Sequence, residues 1–392
     1  MNAIPRLKEY SGPVLLSCGF RPFFFFGACH AALAMAVWLL LFFGEMTIAT
    51  LFAFRDWHAH EMVFGYLTAV LTGFLLTAIP NWTGRLPLQG PPLLALVLIW
   101  FAGRVAVAWS VHLGWAISAS IDCMFLLVVV AAVAREIIAG RNWRNLKVLI
   151  PVCFLALANI GFHTEAYTFG IAEFSIRAAI AVFVTLIMLV GGRVVPSFTR
   201  NWLAREKPGR LPAPFGRFDA GSLAFSTASL CLWVLRPEGI WTAATLLVAA
   251  ALQGVRLARW AGDRTTRERL VFILHIAYAF IPVGFALAGL AAIGWVPASA
   301  ALHAWMAGAA GTMTLAVMTR ASLGHTGREL VAGAGTQVIY IAVVIAACAR
   351  VVSAFSPEWM LVLLHFAAIA WIAAFGTFAV LYGPVLFRQS KR

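Results

Sequence analysis

Nine histidines lie in a chain that is 62% hydrophobic and only 11% charged, and their imidazoles are the groups best suited to chemistry. Neutral imidazole ligates copper, zinc and haem iron, and it exchanges protons near neutral pH. His58 and His60 occur in the run Trp57-His58-Ala59-His60-Glu61-Met62. Residues two apart on an α-helix point about 200° away from each other. The pair therefore cannot hold one ion unless the helix start is unwound. One is then a ligand, and the other faces a second site, a propionate or the outer water. Glu61 beside them is a candidate proton carrier. His303 precedes Ala307, Gly308, Ala310 and Gly311. Small residues there let a flat macrocycle lie against the helix, or let two helices pack closely. His275 stands one turn from Tyr278 on the same side of a helix, so the two can share a hydrogen-bond network or donate protons. His163 and His325 complete the candidate ligands, while His30 and His112 read as structural.

Long apolar segments must position these side chains. About 20 apolar residues cross ~30 Å of hydrocarbon, and backbone groups that cannot go unpaired in lipid make such segments helical. Twelve spans result, at roughly 22–43, 57–79, 91–111, 115–138, 148–166, 173–194, 219–236, 240–257, 270–293, 300–319, 335–353 and 359–386. Pro80, Pro91, Pro92, Pro237, Pro297 and Pro357 fall at their ends, where proline is tolerated or stops a helix. The expected fold is all-α: a polytopic integral membrane protein of about twelve helices in one bundle, forming a single transmembrane domain. Helices 1–6 (about 22–194) and 7–12 (about 219–386) flank an inner loop at about 195–218. A 6+6 division resembles repeat-built transporters, although no sequence match joins the halves.

The net charge of +14 comes in short basic clusters between spans, not in one stripe or arm. That is the positive-inside pattern; it points to a lipid bilayer and not to nucleic acid. Placing both termini in the cytoplasm puts 24 of the 29 Lys and Arg residues on the inner side, including Arg6, Lys8, Arg144, Lys207, Lys391 and Arg392. In that orientation His58, His60, His163, His303 and His365 lie in the outer parts of their helices. His275 sits about a turn and a half from the inner face, and His325 in an inner loop. Arg104 and Asp122, on consecutive antiparallel helices, fall at one depth and read as a buried ion pair. Arg104 and Arg177 are also candidates to hold haem propionates, since guanidinium matches carboxylate geometry. The six cysteines form no CxxC or CxxCH, which argues against zinc ribbons and attached c-type haem. No Walker motif is present.

Several stretches together resemble the NnrS family of haem- and copper-containing membrane proteins of the bacterial nitric oxide response. They are Arg21-Pro22-Phe23-Phe24, Trp57–Phe64 (WHAHEMVF), Gly73–Gly84 (GFLLTAIPNWTG), Gly191–Asn201 (GGRVVPSFTRN), Leu274–Tyr278 and Met318–Arg328 (MTRASLGHTGR). The resemblance implies a b-type haem, copper in some members, and a role against nitrosative stress. His58-Ala59-x-x-Met62-x-Phe64 is also similar to the second-helix HGxxMxF pattern of haem–copper oxidases, with Ala59 in place of glycine. Beyond this run, the paired histidines and the HxH helix of their binuclear centre have no counterpart here.

The resulting expectation is a bacterial inner-membrane haem b protein that binds nitric oxide and reduces it to nitrous oxide. Its electrons would come from a quinol or a redox protein. His58, His60, His275 and His303 are the preferred metal ligands, with His163 and His325 behind them; Glu61 and Tyr278 are the proton carriers. The alternatives are a non-catalytic haem or copper protein that sequesters or senses nitric oxide, and a transporter of an anion or metal complex.

Overall fold

The computed structural model describes residues 10–389 except 142, 144, 145, 207 and 208, and only the backbone of residues 81 and 82. Arg6, Lys8, Arg144, Lys207, Lys391 and Arg392 lie outside the described residues. Among the described residues, twelve helices are long and apolar enough to cross a membrane, so the chain is a polytopic all-α membrane protein. They are α1 (Phe20–Phe42), α2 (Phe54–Pro80), α3 (Pro91–Ala108), α4 (Trp115–Ala139), α5 (Leu146–Phe169) and α6 (Glu173–Leu203). The rest are α7 (Arg217–Leu235), α8 (Ile240–Ala258), α9 (Arg269–Ala291), α10 (Ala298–His325), α11 (Ala334–Ser353) and α12 (Pro357–Phe387).

The ends depart from the expected spans where polar residues prolong a helix. α2 starts at Phe54 because Asp56 is buried in its first turn, where it accepts the Ala172 N–H at 2.9 Å. Its helix also runs through Pro80 to Thr83, and Gly84 (φ 68°) stops it in the left-handed conformation. α6 runs on through Gly191–Asn201 to Leu203, so the first part of the expected inner loop is helical. Val195, Thr199 and Leu203 bury one face there, at the spacing of an amphipathic helix. α10 likewise reaches His325, which lies in the last helical turn and not in a loop.

Packing sorts the chain into two compact units whose boundaries fall inside helices. The first holds residues 1–179, 321–328 and 378–392; the second holds 180–320 and 329–377. In the first, α1 packs on α2, α3 on α4, and α4 on α5. Arg21 of the RPFF motif is buried and donates to the carbonyls of Leu386 (2.7 Å) and Arg388 (2.9 Å), capping the end of α12. In the second, α8 packs on α7 and α9, and α10 on α9 and α11. Gly308 and Gly311 of α10 receive the rings of Phe280 and Trp371, so these small residues serve helix packing.

Among the described residues, three spans contain π-helical turns: Glu61–Leu67 in α2, Ile187–Gly191 in α6 and Ala304–Gly311 in α10. A π turn inserts one extra residue and so rotates the two flanking helical segments relative to each other; such turns occur often at functional sites. The first begins directly after His60.

Candidate functional site

The histidine-bearing start of α2 turns His60 into the interior of the first unit, where it is 0% exposed. Its Nδ1 lies 3.0 Å from Glu61 Oε1. Its Nε2 lies 3.0 Å from Asp122 Oδ2 on α4 and 3.2 Å from Asn159 Oδ1 on α5. One turn beyond Asn159, His163 places Nε2 2.9 Å from the same Asp122 Oδ2. Asn159 Nδ2 also donates to that oxygen, at 2.9 Å. His60, Asp122 and His163 thus converge from three helices, with one ligand atom from each lying within 4.8 Å of the others.

Arg104 on α3 holds the two carboxylates together. It donates through Nη1 to Glu61 Oε1 at 2.7 Å and through Nη2 to Asp122 Oδ1. The pairing of Arg104 with Asp122 is the one expected from their common depth; Glu61 makes it a triad. His30 of α1, read from sequence as structural, brings Nε2 to 2.9 Å from Glu61 Oε2, close enough for charge pairing but not aligned for a hydrogen bond. Glycines make the approach possible. A Cβ at Gly65 would meet His30 Nε2 at 2.6 Å and Arg104 Nη1 at 2.9 Å, and one at Gly103 would meet Asp122 Oδ1 at 3.0 Å. Trp100 Nε1 donates to the Gly65 carbonyl at 2.9 Å, securing the π turn. The rings of Phe52, Phe64 and Phe162 surround His60 with centroids 4.9–5.9 Å away. These apolar walls keep the cluster dry, which strengthens its electrostatics.

This arrangement can hold a proton or a metal ion among buried nitrogens and oxygens. It does not fit a haem ligated by His60. Both ring nitrogens are already within 3.2 Å of polar side chains, and aromatic rings occupy the space a macrocycle would need.

The other sequence candidates have separate surroundings. His58 packs its ring on Trp38, centroids 4.4 Å apart. His325 lies against Phe20 at 5.4 Å. Arg177 stands 3.7 Å from Glu173 in the first turns of α6. In the second unit, His275 Nε2 is 2.8 Å from Thr199 Oγ1. Tyr278 donates to Gln253 Oε1 at 2.7 Å and accepts from Arg256 Nη1 at 2.9 Å, so it does not bond to His275. The buried Arg256 also reaches Asp219 and the Met188 carbonyl inside the second π turn. Gly192 leaves room for its guanidinium, which accounts for the second glycine of GGRVVPSFTRN. Arg320 of MTRASLGHTGR lies 4.1 Å over the Phe198 ring. His303 donates Nδ1–H to the Ser299 carbonyl at 2.7 Å.

Sequence reasoning missed Asn159 and the part played by His30. Asn159 and His163 are four apart and so share a helix face, a signal that could have found the first. Nothing in the sequence shows which residue His30 meets. Among known proteins, the model of a family described as NnrS protein matches residues 14–390. No curated protein matches the chain.

Proposed function

The chain belongs to the NnrS family, and from that membership we propose that it is a haem b protein of the bacterial inner membrane that binds nitric oxide and reduces it to nitrous oxide. In this reading it relieves nitrosative stress, with both termini in the cytoplasm and copper as a second cofactor. The cluster around His60, which gathers three histidines, two carboxylates and an arginine inside membrane spans, supports a functional centre there; the haem of this reading rests on family membership. Each such group is costly in lipid, by at least ~2.5 kcal/mol at a helix centre, and their retention marks a functional site.

Nitric oxide is small, neutral and lipid-soluble, so it reaches a buried metal without a polar tunnel. Converting two molecules of it to one nitrous oxide and one water takes two electrons and two protons. A quinol or a redox protein would deliver the electrons. Haem, when bound, supplies an iron atom that coordinates nitric oxide. Of the preferred histidines, His303 would hold the haem iron, its ring being oriented by the Nδ1–H that it donates to the Ser299 carbonyl.

One observation favours a second reading, in which nitric oxide is held and not turned over. Both candidate proton carriers are pinned, Glu61 by Arg104 and two histidines and Tyr278 between Gln253 and Arg256. The test is an absorption spectrum of the purified protein, oxidised, reduced and with nitric oxide, and then nitrous oxide measurement with added reductant. Turnover many times beyond the haem content is expected; uptake that stops at one molecule per haem would leave binding alone. A colourless, iron-free protein that still protects cells would overturn the haem reading.

A further inference from the structure

We propose that His60, Asp122 and His163 bind one divalent transition-metal ion of the copper, zinc or iron(II) class, at a site separate from any haem. All three side chains are buried, and their ligand atoms lie within 4.8 Å of one another. Asp122 Oδ2 stands 3.0 Å from His60 Nε2 and 2.9 Å from His163 Nε2. Spacings of that size suit atoms sharing an ion with bonds of about 2.0–2.2 Å.

The count of hydrogens gives an independent reason. Glu61, ion-paired with Arg104, has no proton to offer, so His60 donates Nδ1–H to it. The Nε2 of a neutral His60 is then a bare lone pair. It faces Asp122 Oδ2 and Asn159 Oδ1, both acceptors, because the Asn159 amide nitrogen is already turned towards Asp122. Lone pairs converge where a cation is wanted. Formal charge agrees: Glu61 and Asp122 carry two negative charges and Arg104 one positive. With neutral imidazoles, the buried cluster carries one net negative charge, which attracts a cation; a divalent ion brings two positive charges and would balance with one further anionic ligand such as hydroxide.

The surroundings match a metal centre. A carboxylate on the far nitrogen of a ligating imidazole, as Glu61 is for His60, fixes its tautomer and raises its basicity. Two imidazole nitrogens and one carboxylate oxygen suit copper, zinc or iron(II); magnesium and calcium take oxygen ligands. The inference does not depend on where haem binds or on what happens to nitric oxide.

The rival is a protonated His60 with no ion, so the experiment counts ions. Full-length protein in detergent would be stripped with a chelator and titrated with Cu(II), with bound metal measured by mass spectrometry. About one ion per chain is expected, with two imidazole nitrogens coupled to it in the electron paramagnetic resonance spectrum. His163→Gln should weaken binding about 100-fold or more, and Glu61→Gln about 10–100-fold, with haem content unchanged in both. No ion uptake by wild type, or equal affinity in His163→Gln, would sink the proposal. Where His163→Gln does not fold, the nitrogen count in wild type decides: two support the site, none overturns it. Ion binding without nitric oxide turnover would defeat the function proposed above and leave this site standing. Turnover by an ion-free haem protein would do the reverse.

Discussion

At the scale of single residues, Arg104 carries the electrostatics of the cluster. It is 8% exposed and bridges Glu61 and Asp122. Removing one partner of a buried ion pair typically costs about 3–5 kcal/mol, because the other charge is left uncompensated. Arg104→Met should lose stability of that order, read as unfolding in detergent. Arg104→Lys should lose less, since an ammonium keeps the charge but not the fork that reaches both carboxylates. Gly65→Ala tests the same site from the backbone. The added methyl meets His30 and Arg104, and overpacking of this kind costs about 1–3 kcal/mol. Cys18, just outside α1, gives a pH-dependent readout. Burial pushes its thiol up, against a weaker opposing contact with Thr77. The reactive thiolate is therefore scarce at neutral pH, and maleimide labelling of Cys18 should stay slow until the solution is distinctly alkaline. Rapid labelling at pH 7 would contradict this.

At the scale of elements, the π turn of α2 decides which histidine faces inwards. Phe54–His60 is α-helical and Glu61–Leu67 is π-helical, so the extra residue sets the rotation of His60 relative to the rest of α2. Deleting Met62 should restore plain α-helix and rotate the first segment by about 100°. That would carry His60 away from Asp122 and abolish the cluster, while a Met62→Leu control leaves it in place. Reduced ion content and stability in the deletion alone would bear this out. Arg21 works across elements in the same unit. Hydrogen bonds to a charged group contribute about 1.5–3 kcal/mol, so Arg21→Ala should destabilise the protein by about that amount and free the last turn of α12 to exchange amide protons. The spans themselves were legible because apolar residues recur over membrane-crossing lengths. Their ends were harder to place. Asp56, Thr199 and His325 look like loop residues by polarity, yet Asp56 caps a backbone N–H, Thr199 meets His275 and His325 meets Phe20.

At the scale of the whole molecule, orientation rests on the asymmetry of basic residues. Exposed Trp109, Tyr167, Trp241, Trp295 and Trp359 stand where odd-numbered spans end or even-numbered ones begin. Exposed aromatic rings at span ends suit the headgroup level of a bilayer. The proposed orientation, with both termini cytoplasmic, predicts that a fluorescent-protein fusion at the C-terminus glows and an alkaline phosphatase fusion there stays inactive. The opposite pair of results would invert the topology.

The amino-acid order alone determined the solvent of this protein, the number of its spans and its family, because hydropathy and local motifs are written along the chain. It also singled out His60, Glu61, Arg104 and His163 as chemically interesting. It could not say that His60 and not His58 turns inwards, that Asn159 and His30 join the group, or that Tyr278 bonds to Gln253 and Arg256. Those pairings depend on helix rotation and on contacts between residues up to about a hundred positions apart. A rotation shifted by a single inserted residue, as in the π turn of α2, is a property of the packed helices and not of any local pattern.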